Sequence, residues 1–348
     1  MTQSAISEQS VREILSTISY PGFTRDIVSF GVVRGITMGN EITIQMVLST
    51  NDTGVASELR NRATQALGAS FPGIPVKVLL DVQTPIQSSG QGPVPIPGIR
   101  HVIAVASGKG GVGKSTISVN LAAALALKGL KVGLCDCDLY GPSIALMCGA
   151  RERPSADEQG MIIPPKHHGM KIMSMGLLLE QDSPAILRGP MVTRYTQQFL
   201  RNVVWGELDV LILDLPPGTG DIQLTIVQTI PLSGAVIVTT PQEVAVIDAR
   251  KAVSMFQKTN VPILGILENM AYFVVPGDTT RHEIFGSGGG IGEATRLGVP
   301  FLGSLPLDPE LRVASDSGVP LMLSHPELPV SSLIQIATES LLPLLQRP

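Results

Sequence analysis

Apolar and polar residues alternate in distinct blocks along the chain. Val11, Ile14, Leu15 and Ile18 recur at helical spacing, and Tyr20-Pro21-Gly22 closes that pattern. Ile27 to Ile36 and Ile42 to Leu48 read as two strands joined at Gly39-Asn40, the second with the alternation Ile-Thr-Ile-Gln-Met. A helix is predicted from about Val55 to Leu67, and Val76 to Val82 reads as a third strand. From Arg100 onward the texture changes. Runs such as DVLILDL and GAVIVTT are apolar without alternation, as in strands buried on both faces of a parallel sheet. These runs (101–106, 131–135, 210–213, 235–239 and 263–267) are interspersed with helical stretches. The predicted fold class is therefore α/β, a mostly parallel doubly wound sheet, preceded by a small α+β domain.

Between the two textures lies QTPIQSSGQGPVPIPGI, rich in Pro, Gly, Ser and Gln, which reads as a semi-rigid linker. The predicted division is residues 1–82, a linker at 83–99, and a second domain at 100–348. A length of 348 residues agrees with two cores rather than one. The net charge of −4 argues against a nucleic-acid coat protein, whose surface must be basic. No apolar run reaches the length of a bilayer span, and the first residues lack the pattern of a signal peptide. Three cysteines, Cys135, Cys137 and Cys148, make no disulfide framework and fit a reducing, cytoplasmic setting. Neither nucleic acid nor membrane is an expected partner.

The strongest chemical signal is Gly108-Lys109-Gly110-Gly111-Val112-Gly113-Lys114-Ser115, followed by Thr116. It has the spacing G-x-x-x-x-G-K-[ST] of a phosphate-binding P-loop, with an apolar strand before it and a helical stretch after it. Glycines let the backbone curl so that its N–H groups meet phosphate oxygens, and a helix N-terminus adds a favourable dipole. Lys114 is expected at the β- and γ-phosphates of ATP, and Ser115 on Mg²⁺. Asp214, at the end of the apolar run DVLIL, is placed to hold that Mg²⁺ through water. Asp136 and Asp138, two apart on an extended backbone, point the same way.

Lys109, directly after the first glycine, gives the loop a second lysine. In this it resembles the deviant Walker A ATPases, the group of MinD, ParA and the nitrogenase iron protein. That resemblance implies a homodimer in which Lys109 crosses to the partner's phosphates, much as an arginine finger does. It also implies that Asp138 orients the attacking water, that Asp136 lies near Mg²⁺ through water, and that Gly218 senses the γ-phosphate. Asn269 and the Pro306 region would then hold adenine.

The ordered set KGGVGKST, CDLYGPS, DLPPGTGD, TTPQ, ENMAYF and IFGSGGG narrows the likeness. It resembles the Mrp/ApbC iron–sulfur cluster carriers over residues 98–345. The first 82 residues resemble the small domain often fused ahead of them. The resemblance implies an ATP-hydrolysing dimer that passes a [4Fe–4S] cluster to apo client proteins or works with assembly factors. Two departures stand out. Cluster-holding relatives carry C-x-x-C where this chain has Val275 and Asp278. The small domain's usual D-P-E is Tyr20-Pro21-Gly22, and its usual cysteine is missing from STNDTGVASEL.

Cys135 and Cys137 read as small buried core residues. His167-His168 reads as a solvated loop, and Phe199 and Trp205 as core. The amphipathic C-terminal segment from Ser331 reads as a core or dimer helix, because it has one basic residue, Arg347. A MinD/ParA-type regulator without a cluster is the alternative function. A reductase like the nitrogenase iron protein is disfavoured, since no cysteine follows residue 148.

Overall fold

In the computed structural model, residues 7–21, 26–28, 32–49, 53–83, 93–139, 141–178, 196–197 and 199–345 are described. They fall into two units, one formed by the described residues up to 83 and the other by those from 93.

In the first unit the alternation of the second strand sets the core. Helix α1 (Glu8–Leu15) precedes the strands β1 (Val33–Met38) and β2 (Ile42–Ser49), then helix α2 (Thr53–Ser70) and strand β3 (Val76–Gln83). β1 and β2 form an antiparallel hairpin, and α2 carries the chain across to β3, parallel to β2. Ile42, Ile44, Met46 and Leu48 are buried, as are Leu59, Ala63 and Leu67 of α2, one helical turn apart. The first strand starts later than the sequence pattern predicts. Ile27 instead lies in a turn and donates its N–H to Ile18 O, just past α1, while Val32 N donates to Ile27 O. Here apolar content marks burial, not extension.

The second unit is built on an eight-stranded sheet. Its strands, in chain order, are β4 (Ile99–Ala106), β5 (Val132–Asp136), β8 (Lys166–His167), β9 (Met170–Met173), β10 (Leu208–Asp214), β11 (Gly234–Thr239), β12 (Ile263–Glu268) and β15 (Phe301–Ser304). Small two-stranded ribbons, β6 (Ser155–Ala156) with β7 (Ile162–Ile163) and β13 (Phe273–Val274) with β14 (Arg281–His282), lie outside it. The spatial order is β15-β12-β11-β4-β10-β5-β9-β8, parallel throughout except for the edge strand β8. Every residue of β5 and β11 is buried, which is why these runs show no alternation. From β4 the chain moves towards β5, and from β10 it returns past β4 to β11. A reversal of this kind opens a ligand crevice at the carboxyl ends of the central strands.

Helix α3 (Lys114–Leu127) follows β4 and is buried from Ile117 to Leu125. Its Leu121 and Leu125 share one core with Ile103, Val105, Leu134, Val210, Ile212, Val236 and Val238. Helix α9 (Pro329–Glu339), in the C-terminal segment, packs on α3 and adds Val330, Ile334 and Ala337 to that core. Its apolar face is therefore occupied by this chain's own interior. Among the described residues no helix is long and apolar enough to cross a membrane. Trp205 and Phe199 are buried, and so are all three cysteines. The His167-His168 pair is not a free loop. It closes the β8–β9 hairpin, with His168 at φ 51° and its Nε2 3.1 Å from Gly318 O.

The other helices among the described residues are α4 (Ile144–Met147), α5 (Asp221–Thr229), α6 (Glu243–Lys258), α7 (Gly289–Leu297) and α8 (Pro309–Ser317), with four-residue helices at Leu321–Ser324 and Leu342–Leu345. α6 and α7 are joined by Glu293, which takes a two-pronged contact from Arg250 at 2.9 and 2.9 Å and another from Arg296 at 2.5 and 3.1 Å. The hydrogen bonds from Arg250 and then Arg296 hold its carboxyl down at about 2, against an ordinary value of 4.5. An acid with a depressed folded-state value stabilises the fold above its unfolded value and loses that contribution as the pH falls. Because both arginines are partly exposed, solvent trims the contribution to about 1–3 kcal/mol. Glu293→Gln is expected to lower stability by that amount at pH 7 in urea denaturation. The gap to the unsubstituted protein should close as the pH falls from 4.5 towards 2.

Candidate nucleotide-binding site

The loop between β4 and α3 is fixed from both sides. Gly108 lies against the backbone of α6, and a Cβ there would sit 2.1 Å from Asp248 C. Gly113, the N-cap of α3, has φ 82°, and a Cβ on it would sit 2.2 Å from Asn269 Nδ2. Asn269 Nδ2 donates to Val112 O at 2.9 Å. A carbonyl can only accept, so the amide nitrogen faces the loop and Oδ1 faces away, where it is buried without a partner. No side chain caps α3, so the N–H groups of its first turn remain available to an anion.

Beneath the loop, three side chains of α3 converge on one buried carboxylate. Asp214 ends β10 and is fully buried. Its Oδ1 accepts from Lys114 Nζ at 2.7 Å and Ser118 Oγ at 2.6 Å, and its Oδ2 accepts from Ser115 Oγ at 2.6 Å. Ser118 lies one helical turn after Lys114 and so shares its face. A buried carboxylate needs this compensation, because removing either charge would leave the other unpaired at low dielectric.

Asp136, at the end of the neighbouring β5, is also buried. Its Oδ2 accepts from the backbone N–H of Ser143 and Ile144 and from Ser174 Oγ, at 3.0, 3.1 and 2.9 Å. It thus anchors the start of α4 as well as facing the site. Burial, and after it the charge of Asp214, raises its carboxyl from 3.8 to about 7, against the pull of these donors. Asp138 is half-buried. Its backbone N–H reaches Asp136 Oδ1 at 3.1 Å, and its own Oδ1 accepts from Gly141 N at 3.2 Å.

The segment after Asp214 returns to the loop. Leu215 N donates to Val105 O and Gly218 N to Ser107 O, both at 3.0 Å. Asp138, Gly141, Pro216, Pro217 and Gln223 are among the residues that line a cavity of about 410 Å³. On the other flank, Ala271 N bonds Leu305 O and Leu307 N bonds Tyr272 O, which holds Pro306 beside the Asn269–Tyr272 segment. Lys109 is half-buried in the loop, and its carbonyl accepts from Ser107 Oγ. The fold thus gathers Gly108 to Thr116, Asp136, Asp138, Asp214, Gly218 and Asn269 at the carboxyl ends of β4, β5, β10 and β12, with Pro306 just past the end of β15. It adds Ser118, Ser174, Gln223 and Asp248. Of these four, only Ser118 had a local signal, its helical spacing from Lys114.

Comparison with known proteins agrees with this geometry. The family described as NUBPL iron-transfer P-loop NTPase matches residues 98–342. The chain belongs to this family of iron-transfer P-loop NTPases. An iron–sulfur cluster carrier protein of Deinococcus radiodurans is 44% identical over 317 residues, covering 90% of this chain and 88% of that one. Another from Aquifex aeolicus is 51% identical over 238 residues, which span 68% of this chain and 65% of that protein. Among solved structures, a nucleotide-binding protein of Archaeoglobus fulgidus in complex with ADP is 40% identical, with a TM-score of 0.57 over 64% of this chain and 87% of that one. The MinD ATPase of Pyrococcus furiosus, 20% identical with a TM-score of 0.54 over 70% of this chain and 99% of its own, shares the fold.

In this iron-transfer NTPase, the segment where cluster-holding relatives are expected to carry C-x-x-C is a closed turn. Asp278 N bonds Val275 O at 2.9 Å, with Pro276 and Gly277 (φ 87°) at the corners. Pro followed by a glycine of positive φ is the chemistry of a type II turn. Asp278 Oδ1 accepts from Thr279 N, Thr280 N and Thr280 Oγ1, and these bonds hold its carboxyl below the usual range. The turn caps the β13–β14 ribbon, where Arg281 stacks over Tyr272 at 4.3 Å. The three cysteines offer no substitute. Cys135 and Cys137 have sulfurs 4.0 Å apart in the interior, and the Cys137 thiol is pushed well up by its hydrogen bond to Cys135 and by burial. Burial pushes Cys148 up to about 12. Cys135 is buried as well, so none of the three presents a thiolate at the surface for iron.

Because Gly108 is wedged against α6, Gly108→Ala must push the P-loop and that helix apart. The expected cost is roughly 1–3 kcal/mol of stability, read as a lower urea midpoint of the nucleotide-free protein.

Proposed function

We propose that this chain hydrolyses ATP with Mg²⁺ as a nucleotide-gated homodimer, and serves cytoplasmic iron–sulfur cluster transfer to apo client proteins or assembly factors. The observation that carries this reading is the convergence of Lys114, Ser115 and Ser118 on the buried Asp214 beneath an uncapped helix N-terminus. Incoming phosphate would draw Lys114 off Asp214 and give its charge a new partner. The donor set suits Mg²⁺. The Ser115 hydroxyl and the Asp214 and Asp136 carboxylates are hard oxygen ligands, and two neighbouring buried carboxylates favour a cation between them. Mg²⁺ held by Ser115, with Asp136 and Asp214 acting through water, would neutralise charge on the phosphates. Asp138, on the wall of the 410 Å³ cavity, is assigned to the attacking water, and Gly218 to the γ-phosphate. Asn269, with its unpartnered Oδ1, is assigned to the adenine amino group, beside Pro306. Lys109 is assigned to the partner subunit's phosphates.

Residues 1–82 are read as an assembly-associated module and 83–99 as its linker. The net charge of −4 and the packed helix α9 give no support to nucleic acid or membrane as partner. A MinD/ParA-type ATPase regulator without a cluster is less favoured than the carrier role, given the relatives named above.

The two P-loop lysines separate binding from turnover. Lys114→Ala is expected to abolish ATP binding in equilibrium titration. Lys109→Ala is expected to keep it and to lose hydrolysis by about 10³-fold or more. Wild-type turnover by a monomeric Lys109→Ala variant would remove the role in trans.

The cargo site needs its own test. Without surface thiolates, the chain is expected to take up little iron and sulfide in anaerobic reconstitution. Val275→Cys combined with Asp278→Cys should raise the uptake, since two thiolates from each of two subunits make the four a [4Fe–4S] cluster takes. Stoichiometric cluster in the unsubstituted protein, lost on Cys135→Ser, would overturn the assignment of that cysteine to the core.

A further inference from the structure

Gln223 is the third residue of α5 and is buried. Its Nε2 donates to Pro216 O at 2.6 Å, closing a loop from the start of the helix back to the segment that follows Asp214. Pro216 offers only an acceptor, which fixes the orientation of the amide. The nitrogen faces Pro216, and Oε1 is left buried with no partner. A buried acceptor without a donor is costly, and a glutamine at this helix position would ordinarily turn its oxygen back to the N-cap N–H. Here the side chain gives up that bond to hold the Pro216 carbonyl.

Two residues further on, Gly218 N donates to Ser107 O at 3.0 Å. That same N–H is the group the proposed function assigns to the γ-phosphate. In this state it is engaged by the P-loop backbone, so it must leave Ser107 before it can face a phosphate. Gly218 has φ 96°, open to glycine and strained for other residues, and a Cβ on it would meet nothing within 4 Å. The loop therefore has room to move. Leu215 N stays tied to Val105 O at its start, and the rest is held back by the Ser107 carbonyl on one side and the Gln223 amide on the other.

We propose that Gln223 is a positioning latch. By holding Pro216 O, it keeps the 215–218 segment withdrawn, and so weakens the binding of a nucleotide whose γ-phosphate needs that segment to move while leaving ADP unaffected. The inference rests on the ATPase reading. ADP leaves the latch closed. ATP opens it, and the released amide then lies on the wall of the cavity it shares with Asp138, where Oε1 can find a donor.

The test compares Mg²⁺-ADP with the non-hydrolysable analogue Mg²⁺-AMP-PNP by equilibrium titration of the full chain. Gln223→Met keeps the length and apolar packing without the donor. Gln223→Leu removes both ends of the amide and keeps the site filled. Both are expected to improve analogue affinity relative to ADP by about three- to tenfold, the worth of one hydrogen bond opposing the movement, with ADP affinity within about twofold of the unsubstituted protein. An unchanged ratio in variants that still bind ADP would sink the latch alone. Loss of ADP binding in both would make Gln223 a structural residue and overturn it too. Failure of the unsubstituted chain to bind either nucleotide would remove the ATPase reading, and the latch with it.

Discussion

The contact between Lys114 and Asp214 organises everything around it. A lysine and an aspartate meet at 2.7 Å where the surroundings are almost dry. Neither ion can be there alone, and their attraction is strong because water is excluded. The pair ties the first turn of α3 to the end of β10, across the centre of the sheet. The two hydroxyls of Ser115 and Ser118 complete the carboxylate's hydrogen bonding. Asp136 lies close enough on the next strand to feel that charge. The site is therefore internally satisfied: Lys114 has a carboxylate as its partner and the Gly218 N–H a carbonyl, and under the proposed function each would exchange that partner for a phosphate.

Much of this was legible in the sequence because it is local. The P-loop is eight contiguous residues, and its Gly108 and Gly113 stand where a side chain would strike α6 and Asn269. Asp214 closes an apolar run, a position that reads as an acid at the mouth of a buried strand. The parallel sheet was visible in runs without alternation. What escaped was set by tertiary folding. Gln223 finds Pro216 through the turn at the head of α5, and Ser174 reaches Asp136 from a strand paired through the edge of the sheet. Neither carries a spacing that marks it. Ile27 misled for a related reason, since an apolar residue buried in a turn looks the same in sequence as one in a strand. His167 and His168 misled in the opposite sense, because polar residues at a hairpin tip resemble a loop.

The glycines of the P-loop also carry a constraint beyond ligand binding. Gly108 touches the backbone of α6, and Gly113 touches Asn269. The loop is thus in direct contact with the helix on one side and with the residue after β12 on the other. A displacement of the loop would meet the α6 backbone directly and Asn269 through its side-chain amide. This couples the loop mechanically to α6, whose surface carries the exposed Val244 and Ile247.

The turn at Val275–Asp278 has a consequence for how such a chain meets oxygen. Valine, proline, glycine and aspartate present no sulfur to oxidise, and the three cysteines are buried elsewhere in the interior. The thiols are thereby shielded from the redox history of the surroundings. A thiol-alkylating reagent that disables a thiol-bearing carrier at its metal ligands finds no cysteine at this turn, and reaches the others only when the fold itself opens.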